Sequence, residues 1–93
     1  MDFLSASDAR LEGVPDPEVL AIAAGLDRIL VSHDFRTMPW HLAGFLAAGR
    51  SSPGVILVPQ KLPVVMAISE LVLIWSASEA EEWRNRIIRI PLA

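Results

Sequence analysis

Short unbroken apolar runs alternate along this chain with longer stretches in which apolar residues recur every three or four positions. Ile29, Leu30 and Val31, leading to Ser32, and Val55, Ile56, Leu57 and Val58 contain no alternating polar position. That pattern predicts strands at 29–32 and 55–58 buried on both faces, as in a parallel sheet. Residues 2–6 read as a further short strand, and residues 87–90, where Arg89 interrupts the isoleucines, as a closing edge strand. The periodic stretches lie between them. Val19, Ile22, Ala23 and Leu26 share one face of a helix from 16 to about 24, with Gly25 a natural stop. Leu42, Phe45, Leu46 and Gly49 mark the apolar face of a second helix, opened by residues 37–39. A third helix, from Pro63 to about Ser76, is apolar nearly all round: Val64, Ile68, Leu71, Val72 and Trp75 lie on one side, Met66 and Leu73 on the other. Before Ser76 at its end, only Ser69 and Glu70 are polar there, and such a helix needs two partners.

Start and stop signals sharpen the boundaries. Asp16-Pro17-Glu18 opens the first helix: Asp16 can accept from the orphan amides, Pro17 suits the first helical position, and Glu18 faces the positive dipole end. Met38 precedes a proline, a position biased away from helix. Residues 50–54 form a turn cluster, and Pro59 and Gln60 end the strand after it. Ser78 and Glu81 have capping-box spacing, which predicts a separate short helix through Arg86 with Glu82 and Arg86 paired at i, i+4. The order β, α, β, α, β, α, α, β argues for one α/β layer domain over 1–93 with right-handed crossovers.

Composition adds one constraint. A hydrophobic fraction of 53% in 93 residues is more than so small an interior can hide, so surplus apolar surface is expected, and a subunit interface is its usual destination. Without cysteine there are no disulfides or thiolate metal sites, which fits a reducing cytoplasm. No signal peptide is recognisable, and the longest apolar run, 62–77, is too short and too interrupted to cross a membrane. A net charge of −3 gives no global cationic field to attract nucleic acid, although Arg84, Arg86 and Arg89 cluster near the C-terminus, among Glu79, Glu81 and Glu82.

The polar residues after the strand at 29–32 are the first place to look for chemistry, because the carboxyl ends of parallel strands are where a buried sheet meets solvent. Ser32, His33 and Asp34 are the residue types of a nucleophilic triad, but consecutive residues on extended backbone alternate in direction and cannot line up. Asp34 remains a candidate ligand for Mg²⁺ or Mn²⁺, with Asp16 and Glu18 as further carboxylates should their loop reach the same edge. Each also has a structural explanation in capping and turn formation. His33 and His41 lack the spacing of a zinc site. The glycines form neither GxGxxG nor a Walker pattern. Trp75 and Trp83 read as core or interface aromatics.

The run LEGVPDPEVLAIAAGLDRILVSHDFRTMP, 11–39, resembles a short bacterial PIN-like family of unknown function, related to ribonuclease toxins of VapC type. SSPGVILVPQKLPVVMAISELVLIW and EEWRNRIIRIPL continue in that family's manner. The resemblance implies a PIN-like three-layer fold with a mainly parallel sheet and acidic residues at one edge, which in active members hold divalent metal and activate water against a phosphodiester bond. On this chain, Asp34 matches the acid after the family's third strand, and Asp16 and Glu18 match its DPE stretch. Family members begin with another βα unit that carries the first acid, so the chain reads as N-terminally truncated, or as the product of a start placed late.

Two functions follow as expectations. One is a metal-dependent ribonuclease, the toxin of a toxin–antitoxin pair, with RNA and an antitoxin-like protein as partners and Asp34, Asp16 and Glu18 as its catalytic carboxylates. The other is a catalytically inactive interaction module. Loss of a central strand would leave backbone and apolar side chains uncovered unless a second subunit replaced it, which predicts a homodimer. The low count of acids at the sheet edge favours the interaction module, and the association of the family with nucleic-acid processing stands against it. The balance falls to a PIN-like domain of nuclease ancestry, with the interaction module as the alternative.

Overall fold

The two apolar runs form the centre of a four-stranded parallel sheet in a computed structural model that describes residues 2–7 and 9–91. The strands are β1 (Asp2–Ser5), β2 (Arg28–Ser32), β3 (Val55–Leu57) and β4 (Ile87–Arg89), and they lie side by side in chain order. Three helices connect them: α1 (Asp16–Gly25), α2 (Met38–Ala47) and α3 (Val64–Ala77). The register pairs Leu4 with Leu30, Leu30 with Val55, and Val55 with Ile87, so these residues share one face of the sheet. Phe3, Ile29, Val31, Ile56 and Ile88 share the other. Neither face carries a charged side chain at its centre, and both must be covered.

α1 and α2 cover the first face. Val19, Leu20 and Ala23 of α1 and Met38, Leu42 and Phe45 of α2 are buried against Leu4, Leu30, Val55 and Leu57. α3 covers the second, where Ile74 is buried with Ile29, Ile56, Val58 and Ile90, and Ala67, Leu71 and Trp83 pack around them. The result is a three-layer α/β arrangement.

This placement corrects the expectation of uniformly right-handed crossovers. The strand order advances in one direction throughout, so three crossovers of one hand would put all three helices on one face. α3 lies opposite α1 and α2, and the last crossover therefore has the opposite hand to the first two. The physical reason is the second apolar face: with α3 beside α2, that face would be bare. The central strand expected to be missing also leaves no gap, because the four strands pair without a break and β2 bonds directly to β3 in the middle of the sheet.

Several local expectations change as well. Gly25 is the last helical residue of α1, and the left-handed conformation comes two residues later, at Asp27 with φ 54°, whose N–H donates to the Ala24 carbonyl. Met38 is helical and buried despite the following proline. Gly49, expected on the helical face, lies beyond the end of α2 with φ 82°. The short helix through Arg86 is a single 3₁₀ turn at Ala80–Glu82. Its reciprocal cap uses Glu79 rather than Ser78: the Glu79 N–H donates to Glu82 Oε2 at 2.7 Å. Ser78 instead links α3 to Trp83, accepting from the indole Nε1–H at 2.7 Å and donating to the Ile74 carbonyl. Arg84 pairs with Glu81 at 3.5 Å.

Candidate functional site

Asp34 stands just past β2, and the fold uses its carboxylate heavily. Its Oδ1 accepts the N–H groups of Arg36 at 3.1 Å and Thr37 at 2.8 Å, while Oδ2 accepts the Thr37 hydroxyl. Its own N–H donates to Ser32 Oγ at 3.0 Å. These bonds close the turn that launches α2. His33 points elsewhere, its Nδ1–H donating to the Val58 carbonyl at 2.7 Å.

Asp16 arrives at the same edge from α1. The helix is entered through Pro15 in extended conformation, so Asp16 is the first helical residue and its side chain makes no cap, contrary to the sequence reading. Freed from capping, its carboxyl group lies 3.7 Å from His41 Nε2 and is close enough to that of Asp34 for the two to perturb each other's titration. The structure thus brings together two of the three predicted carboxylates. Glu18 is not one of them: two residues further round α1, it is exposed on the outer side of the helix.

Sequence reasoning missed Thr37 and His41. The spacing Asp34-x-x-Thr37 is a legible turn signal, and His41 follows Thr37 by one helical turn, but nothing in the sequence places α1 beside them. His41 also packs edge-on against Trp40, ring centroids 5.1 Å apart. A shallow groove of about 610 Å³ runs from there between Pro17 and Gly44 to Arg50, whose guanidinium lies 4.5 Å above the Phe45 ring.

The electrostatics of the two acids differ in sign. The Thr37 hydroxyl, and after it the Thr37 N–H, holds Asp34 below its ordinary pKa of 3.8. Burial, followed by the hydrogen bond and the charge of Asp34, raises Asp16, against the opposing pull of His41. The stability contributed by Asp34 is complete above about pH 3.8 and is lost as pH falls through its lower folded value. Ionisation of Asp16 acts oppositely, removing stability as pH rises from 3.8 through its raised folded value. Asp34→Ala should cost about 1–2 kcal/mol at neutral pH by urea unfolding. The deficit should shrink as pH falls below 3.8. A gap undiminished in strong acid would assign the loss to the backbone of the turn rather than to the carboxylate.

Among the described residues, the side chains gathered at this edge do not make up the donor set of a catalytic divalent cation. Three oxygen interactions of Asp34 are committed to the turn, and Glu18 is exposed. Among the described residues, no group of three His, Asp or Glu side chains gathers in ligating positions.

A second candidate surface lies on the opposite layer. Of the fourteen residues of α3, only Ile74 is fully buried. Val64 and Val65 are 71% and 75% exposed, Trp75 is 57% exposed, and Met66, Ile68, Val72 and Leu73 are each more than half exposed. At 100° per residue, Val64, Ile68, Val72, Trp75 and Val65 form one continuous stripe. A shallow apolar depression of about 160 Å³ between Phe3 and Leu71 borders that stripe. Compared with protein families, with characterised proteins and with solved structures, the chain matches none.

Proposed function

We propose that this chain is a non-catalytic interaction domain that works by docking the outer face of α3 onto a protein partner. One observation carries the reading: a fourteen-residue helix of almost wholly apolar sequence buries a single residue completely. At roughly 150–200 Å² for a fully exposed residue of this size, the seven exposed side chains present on the order of 600–800 Å² of apolar surface. The largest patch on a typical monomer is roughly 300–600 Å², and one side of a standard interface is roughly 800 Å². No helix among the described residues is long and apolar enough to cross a membrane, so this surface has no lipid interior to occupy as a span.

The meeting of Asp16 and Asp34 at the carboxyl edge of the sheet favours a second reading, a PIN-like domain of nuclease ancestry that acts as the ribonuclease toxin of a toxin–antitoxin pair. That reading requires Mg²⁺ or Mn²⁺, and among the described residues the two acids and His41 are few, with Asp34 already committed to its turn. Calorimetric titration with Mn²⁺ should give no saturable heat, and RNA incubated with the protein and Mn²⁺ should stay intact. Cleavage that needs the metal and disappears in Asp34→Asn would overturn the interaction-domain reading and restore the ribonuclease.

A further inference from the structure

Resting on the interaction-domain reading, we propose that the partner of α3 is the α3 of a second copy of this chain, packed antiparallel across a two-fold axis, with Trp75 of each chain seated on the partner's Val64 and the partner's Val65. Area is the first support. An isologous contact counts the same face twice, so two α3 faces and their borders approach the roughly 1,200–2,000 Å² of a stable interface.

Charge is the second. Glu70 is the one charged residue of α3, and it lies on the side turned toward the sheet, with Oε2 enclosed. The exposed face offers only Ser69 and Ser76 as polar groups. Two copies of a chain with net charge −3 can therefore meet along α3 without setting like charges together. A partner chosen by charge would find nothing to read, and an anionic lipid surface would find only Lys61 beside the start of the helix.

Side-chain size fixes the direction. The stripe has two valines at its N-terminal end and a tryptophan at its C-terminal end, with Ile68 and Val72 between. Parallel packing would press Trp75 against the partner's Trp75 and leave valine facing valine. Antiparallel packing sets large against small at both ends and places Ile68 opposite the partner's Val72, with the depression beside Phe3 as a seat for the partner's helix.

Sedimentation at about 50 µM, well above a micromolar Kd, should give twice the chain mass of 10.2 kDa. Val72→Glu and Ile68→Lys alter side chains exposed in the single chain, so each should sediment as a monomer with an unchanged circular dichroism spectrum. The chain has no cysteine, so single-cysteine variants report geometry directly. Val64→Cys alone should not cross-link under mild oxidation, because its two copies stand roughly 18 Å apart along the axis at 1.5 Å per residue. Val64→Cys mixed with Trp75→Cys should. A wild-type monomer would overturn the dimer, and self-cross-linking of Val64→Cys would overturn its antiparallel direction. Metal-dependent RNA cleavage by a dimer would instead overturn the interaction-domain reading and leave the pairing standing.

Discussion

Gly54→Ala is expected to destabilise this protein by roughly 3–5 kcal/mol, a large share of the roughly 5–15 kcal/mol that holds a domain together. Gly54 enters β3 with φ 127°, a conformation that residues with a Cβ rarely adopt. A Cβ built there would stand 2.5 Å from the Trp83 carbonyl oxygen and 3.2 Å from two further Trp83 atoms. Neither side can yield cheaply. The Gly54 carbonyl accepts the Leu30 N–H and its N–H donates to Ser52 Oγ, both at 3.0 Å. Trp83 is fixed by its N–H to the Ala80 carbonyl, by its carbonyl to the Arg86 N–H, and by its indole to Ser78. Gly44→Ala is the matched control, since Gly44 is helical with nothing within 4 Å of an added Cβ, and it should be neutral or stabilising by up to ~1 kcal/mol. Urea midpoints of the two variants decide the matter. A Gly54→Ala loss below about 1 kcal/mol would mean that the 50–54 turn relaxes away from Trp83.

The elements were legible in sequence because each is written in local pattern. Ile29–Val31 and Val55–Val58 have the continuous apolar character of strands covered on both sides, and they are the two central strands. The heavily apolar 63–76 segment signalled a helix without enough partners in its own chain, and α3 is so exposed for that reason. Hidden from local pattern was everything decided by distant demand. A rule of crossover hand concerns one βαβ unit at a time, whereas α3 lies where it does because Phe3, Ile29, Val31 and Ile56 together make a face that something must cover.

Asp16 shows the same limit at the scale of one side chain. Its capping explanation was locally sufficient, and only the landing of α1 beside the end of β2 gives its carboxyl another partner. Glu18, two residues on, was predicted with it and is carried to the other side of the helix by the 100° step. His41 had no signal of its own, because its neighbour Asp16 is 25 residues away in sequence.

Ile74→Ala should cost roughly 2–5 kcal/mol, and the loss should be local to one layer. Ile74 is the single fully buried residue of α3, and it fills the space over Ile29, Ile56 and Val58. Ala67 and Leu71 also touch that face but are only partly buried, so nothing else on α3 compensates for its removal. The opposite layer has its own buried cluster, from Leu4 through Leu57, and keeps α1 and α2 on the sheet without help from α3. Hydrogen exchange should therefore show α3 amides losing protection in Ile74→Ala while those of α1 and β2 hold theirs. The contrast with Val72→Glu separates the two roles of the helix. Val72→Glu should abolish only the concentration-dependent part of the stability, because the side chain it changes faces outward. Ile74→Ala should lower stability at every concentration and loosen the proposed α3–α3 pairing with it, since a helix that is not held to its own sheet cannot present an ordered face to another. Uniform loss of protection across both layers in Ile74→Ala would show instead that the two cores open as one cooperative unit.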